Sequence, residues 1–201
     1  MDVSAQAVKE LREKTGAGMM ECKRALIEAQ GSQEKAIALL REKGQAKAAK
    51  KRGRAATEGV IAHYVHADGK RAALVELNCE TDFVARNAVF RELAREICMQ
   101  VVAQEPLAVS RQDLPPEAVE KEKAICAQAK ECEGKPAAVV EEIVEGKLEK
   151  FYERVCLLDQ PYIRDETRRI RDLIDEAISK LGENVTVRRF VRMVVGGEQE
   201  S

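Results

Sequence analysis

The stretch from Asn78 to Asn87, NCETDFVARN, constrains this chain more than any other, because it joins the strongest strand signal to the longest helical signal. Upstream, residues 60–77 read as a β-hairpin: β-branched and aliphatic residues flank Asp68-Gly69, a dipeptide that supplies the φ > 0 positions of a tight turn. Downstream, Phe90, Leu93, Ala94, Ile97 and Val101 recur at helical spacing and predict one long helix over about 84–104 that ends before Pro106. Between the two, Thr81 is a natural N-cap. It puts Asp82 and Phe83 on a first helical turn, where unpaired N–H groups and the helix dipole favour a carboxylate. Two dispositions fit this pattern. Either Phe83 packs inward on the face of Phe90, with Asp82 a dipole partner, or the pair projects from the tip of a rigid strand-to-helix corner toward another molecule.

The segment before the hairpin is helical. Residues 4–14 set Val8, Leu11 and Thr15 on one face and stop at Gly16-Ala17-Gly18. Residues 19–30 carry Met19, Cys22, Leu26 and Ala29 at helical spacing, and Ser32 caps a third helix over 33–43 that buries Ala36, Ile37 and Leu40. Such a bundle is near the lower size limit for independent folding. Met19 and Met20 lie roughly 100° apart on their helix, so one of them is expected at the surface with Arg12, where a flexible thioether adapts to a partner. Residues 45–54, QAKAAKKRGR, hold five basic side chains and no sizeable apolar one. They read as a hinge or frayed helix, dividing an N-terminal domain, 1–54, from a core domain, 55–201. The basic 47–54 run also supports an alternative reading as an RNA-binding accessory protein, against which stands the lack of interleaved aromatic residues.

The fold class expected is α+β. Strands over 59–66 and 71–78 are apolar on both faces. A third, 185–195, alternates Val185, Val187, Val191, Met193 and Val195 with Thr186, Arg188 and Arg192, and completes a three-stranded antiparallel sheet packed by helices. Residues 107–115 are irregular, and 167–181 form an amphipathic helix. Two charged helices, 117–131 and 137–155, are separated by Gly134-Lys135-Pro136 and predict a protruding helical hairpin inserted over about 115–155. The helices over 84–104 and 167–181 can cover one face of the sheet. The other would remain an apolar patch of a size that monomers rarely expose, so a homodimer closing two sheets face to face is expected.

With 34 basic and 35 acidic side chains the net charge is -1, which argues against direct nucleic-acid binding and favours a protein partner. No signal peptide or membrane span is read, so a cytoplasmic location is expected. The six cysteines form no C-x-x-C pair; Cys126 and Cys132, six residues apart, are expected on different helix faces, and His63 and His66 read as ordinary sheet side chains. No metal, cofactor or catalytic constellation is expected, although a thiol-dependent enzyme built on one of the cysteines is a competing class.

Three stretches carry a resemblance: VKELREKTGAGMMECKRAL at 8–26, TDFVARN after a strand, and LLDQPYI at 157–163 followed by GENVTVRRFVRMVVGG. In this order, over nearly the whole chain, they resemble the bacterial elongation factor Ts family, in its short form, since no second sheet-and-helix half is found. The resemblance implies a ubiquitin-associated-like fold for the N-terminal domain. It implies a guanine nucleotide exchange factor, not an enzyme, that binds elongation factor Tu in its GDP-bound and nucleotide-free states. By the same resemblance Asp82 and Phe83 wedge into the GTPase near its Mg²⁺ site, Thr81 and Val84 shape the corner, and Arg12, Met19 and Met20 dock on the nucleotide-binding domain.

Overall fold

A computed structural model describes residues 3–197. Helix α1 (Ala5–Thr15) is capped by the Ser4 hydroxyl, which accepts the N–H of Ala7, and α2 (Met19–Glu28) and α3 (Gln33–Ala49) follow. A hairpin of β1 (Glu58–Val65) and β2 (Arg71–Cys79) leads to α4 (Asp82–Ala85) and α5 (Ala88–Gln104). Then come α6 (Pro116–Ala127), α7 (Ala137–Val155), β3 (Pro161–Tyr162), β4 (Asp165–Arg169), α8 (Ile170–Leu181) and β5 (Val185–Val194). The chain divides into two compact units. The first takes residues up to Gly59 with Asn78–Phe90 and Asp172–Thr186; the second takes Val60–Leu77, Arg91–Arg171 and the residues from Val187 on.

The first unit contains the helical bundle, whose core is Val8, Leu11, Cys22, Ala25, Leu26, Ala29 and Ala36. Helix α3 extends six residues past Lys43, where the reading of the sequence ended it. Its alanines favour helix, and no left-handed residue interrupts them until Gly53, with a φ of 94°. The first half of the basic run is therefore helical, and residues 50–54 form the turn that follows.

The second unit holds most of the three-stranded sheet, in the order β1-β2-β5. His66 N–H donates to Arg71 C=O at 2.8 Å across the hairpin. Val195 N–H donates to Lys70 C=O at 2.9 Å, while Arg189 pairs with Glu76, so β5 runs antiparallel beside β2. Ala73, Val75 and Leu77 are buried, as are Leu93, Ala94, Ile97, Cys98, Val101 and Val102 of α5, and the Cys98 thiol bonds the Val75 backbone. The side chains of Ile61, Val65, Leu74, Val191 and Met193 are exposed. The valines of β5 thus do not share one face: Val187 is buried and Val191 exposed, because consecutive outward residues Arg188 and Arg189 shift the alternation by one. Arg192 then turns toward Glu105 at the end of α5.

Two further departures have local causes. The helix expected over 84–104 is broken at Arg86-Asn87, where Asn87 Oδ1 accepts the Val89 N–H at 2.8 Å and starts α5 afresh. The helix expected from 167 begins only at Ile170, because Asp165 Oδ1 captures the Thr167 N–H and hydroxyl at 3.2 and 2.6 Å, and β4 pairs with β3. Buried amides lock the neighbouring loop: Gln100 Nε2 donates to Gln160 Oε1 at 3.1 Å, and Gln160 Nε2 donates to the carbonyls of Gln104 and Arg154. Asp159, almost fully buried, accepts from Arg111 and Arg171. Helix α6 packs on α7, with Lys147–Glu131 and Arg154–Glu122 ion pairs. Cys126 lies in the last turn of α6, whereas Cys132 lies in a 3-10 turn and its thiol donates to the Cys126 carbonyl at 3.4 Å, so the comparison of helix faces does not apply to this pair.

These placements separate two substitutions that the sequence treats alike. Val191→Asp, on the exposed face, should keep a native far-UV circular dichroism spectrum. Leu77→Ala, at a position with 0% exposure, should cost about 2–5 kcal/mol in urea denaturation.

Candidate functional site

The corner begins where β2 ends. Thr81 is extended (φ -130°, ψ 154°), and its Oγ accepts the Val84 N–H at 3.4 Å, an N-cap that turns the chain into the single helical turn of α4. Val84 takes the inward position at 5% exposure, and Phe83 is 80% exposed. The inward disposition of Phe83 is thereby excluded. The helical period read back from Phe90 does not reach residue 83, because the break at Asn87 resets it. Asp82 Oδ2 accepts from Arg86 at 2.8 Å with both side chains exposed, a pair that contributes little and exchanges readily for another contact.

The corner is held from a distant part of the chain in the same unit. Glu183 Oε2 accepts the N–H groups of Glu80 and Thr81 at 3.2 and 3.0 Å, and its Oε1 accepts the Thr81 hydroxyl at 2.7 Å. In return Glu80 Oε1 accepts the Asn184 N–H at 2.6 Å, while Asn184 Nδ2 donates to the Arg54 carbonyl at 2.8 Å. The Arg54 guanidinium lies 3.6 Å from Glu80. The Cys79 thiol donates to the Thr81 carbonyl at 3.2 Å; burial pushes its pKa up, and the Glu183 carboxylate adds to that.

The second group of candidate residues surrounds the turn between α1 and α2. Gly16, with a φ of 64°, ends α1 and donates to the Arg12 carbonyl at 2.7 Å. Gly18 caps α2, and Glu21 reaches back to its N–H at 3.4 Å. Arg12, Met19 and Met20 are all exposed, where only one methionine was expected outside, because the small core is already filled. A Cβ on Gly16 would come within 2.8 Å of Lys180 Cε, so this turn lies against α8. The basic run is engaged inside the same unit. Lys47 pairs with Glu21 and lowers its pKa, Lys51 bonds the Gly182 carbonyl, Arg52 pairs with the buried Asp175, and Arg41 and Gln45 both bond Asp172. The two candidate groups are not in one cluster, but both belong to the unit that α3 and α8 tie together.

Burial pushes the Cys98 and Cys156 thiols up to about 11, the opposite of what a nucleophilic cysteine requires. Among the described residues no group of three His, Cys, Asp or Glu side chains could hold a metal ion, and no helix is long and apolar enough to cross a membrane. Glu80, Glu183 and Asn184 were not singled out from the sequence. Their one visible sign is a charged and an amide residue directly after the helix-ending Gly182, where ordinary turn residues would suffice.

The family model described as Elongation factor TS matches residues 2–197. A protein of Nitratidesulfovibrio vulgaris named Elongation factor Ts is 56% identical over 199 residues, covering 99% of this chain and 100% of that protein. One of Caldanaerobacter subterraneus subsp. tengcongensis with the same name is 58% identical over 194 residues, covering 96% and 97%. A third so named, of Fervidobacterium nodosum, is 56% identical over 196 residues, covering 98% and 100%.

Exposure at Phe83 has a direct consequence for stability. Phe83→Ala should change the unfolding free energy by less than about 0.5 kcal/mol, as surface substitutions do, whereas the buried Leu26→Ala should cost about 2–5 kcal/mol. A loss of several kcal/mol at Phe83 in urea denaturation would contradict the exposed corner.

Proposed function

Since the chain belongs to the elongation factor Ts family, whose members are translation elongation factors, we propose that it is a guanine nucleotide exchange factor for elongation factor Tu, acting by insertion of Asp82 and Phe83 into the GTPase. The observation that carries this reading is Phe83, a large apolar ring left 80% exposed on a corner whose backbone is hydrogen-bonded on both sides. A rigid, desolvatable aromatic anchor is what a binding hot spot consists of. Thr81 and Val84 shape the corner, and Arg12, Met19 and Met20 provide a second, adaptable contact for the nucleotide-binding domain.

The task is thermodynamic and needs no covalent step, so the chain is not an enzyme and requires no cofactor of its own. A GTPase that holds GDP at nanomolar strength binds it by roughly 12 kcal/mol, which contacts to the nucleotide-free form must largely offset. Speeding release a thousandfold lowers the barrier by about 4 kcal/mol. Disturbing the partner's Mg²⁺ site would act on the largest local positive charge that holds the phosphates. By linkage, nucleotide weakens the grip of this chain on its partner by the same factor by which this chain lowers the partner's affinity for nucleotide.

The RNA-binding alternative loses its main support, because Lys47, Lys51, Arg52 and Arg54 are engaged by Glu21, the Gly182 carbonyl, Asp175 and Glu80. A cytoplasmic location follows from the proposed role. The division into domains 1–54 and 55–201, the ubiquitin-associated-like fold of the first and the protruding character of α6 and α7 belong to the same proposal. So does the homodimer, which the exposed Ile61, Val65, Leu74, Val191 and Met193 support, since closing two such faces removes apolar area from water at about 25 cal/mol per Å².

Two measurements check these statements. Replacing Asp82 and Phe83 together by alanine should slow stimulated release of fluorescent GDP from elongation factor Tu about thirtyfold or more, the loss of one hot spot, with the melting curve unchanged. Unaltered release at equal concentration would refute the wedge. Light scattering should give the mass of two chains at micromolar concentration and of one chain for Val191→Asp; a wild-type monomer would refute the dimer.

A further inference from the structure

Glu183 has no part in the mechanism above, yet it makes three hydrogen bonds to the two residues that precede Asp82, across more than a hundred positions of sequence. We propose that Glu183 is a positioning residue for exchange, which presets the Thr81–Val84 corner so that Phe83 already stands in its partner-binding orientation before the GTPase is met. The proposal rests on the reading of Asp82 and Phe83 as the exchange wedge.

A four-residue helix has little stability of its own, because nucleating a turn costs more than one or two hydrogen bonds return. The turn of α4 is held by few backbone bonds, among them Ala85 N–H to Thr81 C=O and Arg86 N–H to Asp82 C=O, both at 3.2 Å, and Asn87 N–H to Val84 C=O at 2.9 Å. What orients Thr81 is Glu183. By accepting the Thr81 hydroxyl proton at 2.7 Å it leaves a lone pair of Thr81 Oγ directed at the Val84 N–H, so the cap of α4 is set through the carboxylate. Because Oε2 also takes the Glu80 and Thr81 N–H groups, both oxygens are committed to the corner. Glu80 returns a bond to Asn184 N–H, and Arg54 lies beside Glu80, which offsets the repulsion between the two carboxylates. The bonds run to backbone N–H groups and one hydroxyl, so their effect is to select a conformation.

A corner that is only fractionally in its competent conformation binds more weakly by that fraction, while the rate inside the formed complex is retained. In GDP release from elongation factor Tu, Glu183→Ala should therefore raise the half-saturating concentration of this protein about tenfold and leave the maximal release rate unchanged. Glu183→Gln keeps one carbonyl oxygen for the two N–H groups and loses the acceptor for the Thr81 hydroxyl, so its half-saturating concentration should lie about threefold above wild type, between wild type and the alanine variant. Amide hydrogen exchange of the alanine variant should speed up at Glu80, Thr81 and Val84 and stay as in wild type in the sheet. A wild-type half-saturating concentration in the alanine variant, or a loss confined to its melting temperature, overturns the proposal. If the alanine variant does not fold, the glutamine variant decides: a raised half-saturating concentration supports the positioning role and the wild-type value overturns it. Phe83→Ala is measured alongside. If it exchanges as wild type does, the wedge reading has failed; if it is impaired while both Glu183 variants are not, only the positioning role has failed.

Discussion

The corner that carries Asp82 and Phe83 depends on two short chain segments bonding each other through acidic side chains. Residues 80–81 and 183–184 are not neighbouring strands there, and their backbone N–H groups would lack partners without the carboxylates of Glu183 and Glu80. Each carboxylate caps the other segment. An acceptor-only group suits this task, since both carboxylate oxygens of Glu183 can accept, where an amide would present an acceptor on one side and a donor on the other. The result is a tight corner with an exposed apolar ring at its tip and Val84 turned inward.

The same unit is drawn together by ion pairs along α3 and α8. Arg52 meets Asp175, which is nearly buried, and Arg41 meets Asp172. Surface pairs of this kind contribute at most modestly one at a time, but a buried carboxylate left without its guanidinium would cost several kcal/mol. The pairing at Asp175 therefore discriminates strongly against other placements of the end of α3. A segment whose composition suggests a tether is in fact an attachment, and charge complementarity between two helices far apart in sequence is what converts one into the other.

Legibility from sequence follows the range of the interactions. Thr81 as a cap, Asp68-Gly69 as a turn and the stripe of α5 are decided within a few residues, and each is visible in the sequence. Which face of β1 and β2 is buried was not, because both strands are apolar on both faces. The break before α5 was missed because Asn87 was read as one more helical residue when its side chain competes for a backbone N–H. The shift within β5 was missed because a run of valines at alternate positions gives no sign of where the alternation of burial slips; the two consecutive exposed residues Arg188 and Arg189 reveal it. Phe83 was left open for a related reason, since its exposure depends on where one helix stops and the next starts. Glu183 was invisible because nothing local to it requires a carboxylate.

The distance in sequence between Thr81 and Glu183 also sets an order of events during synthesis. A chain grows from its N-terminus at roughly 5–20 residues per second, so the hairpin and the segment after it leave the ribosome several seconds or more before Glu183 does. During that interval the N–H groups of Glu80 and Thr81 have only water to bond, and the corner has no fixed shape. A nascent chain thus carries the aromatic ring long before it carries the clamp. The fold makes synthesis past Glu183 the condition for a fixed corner.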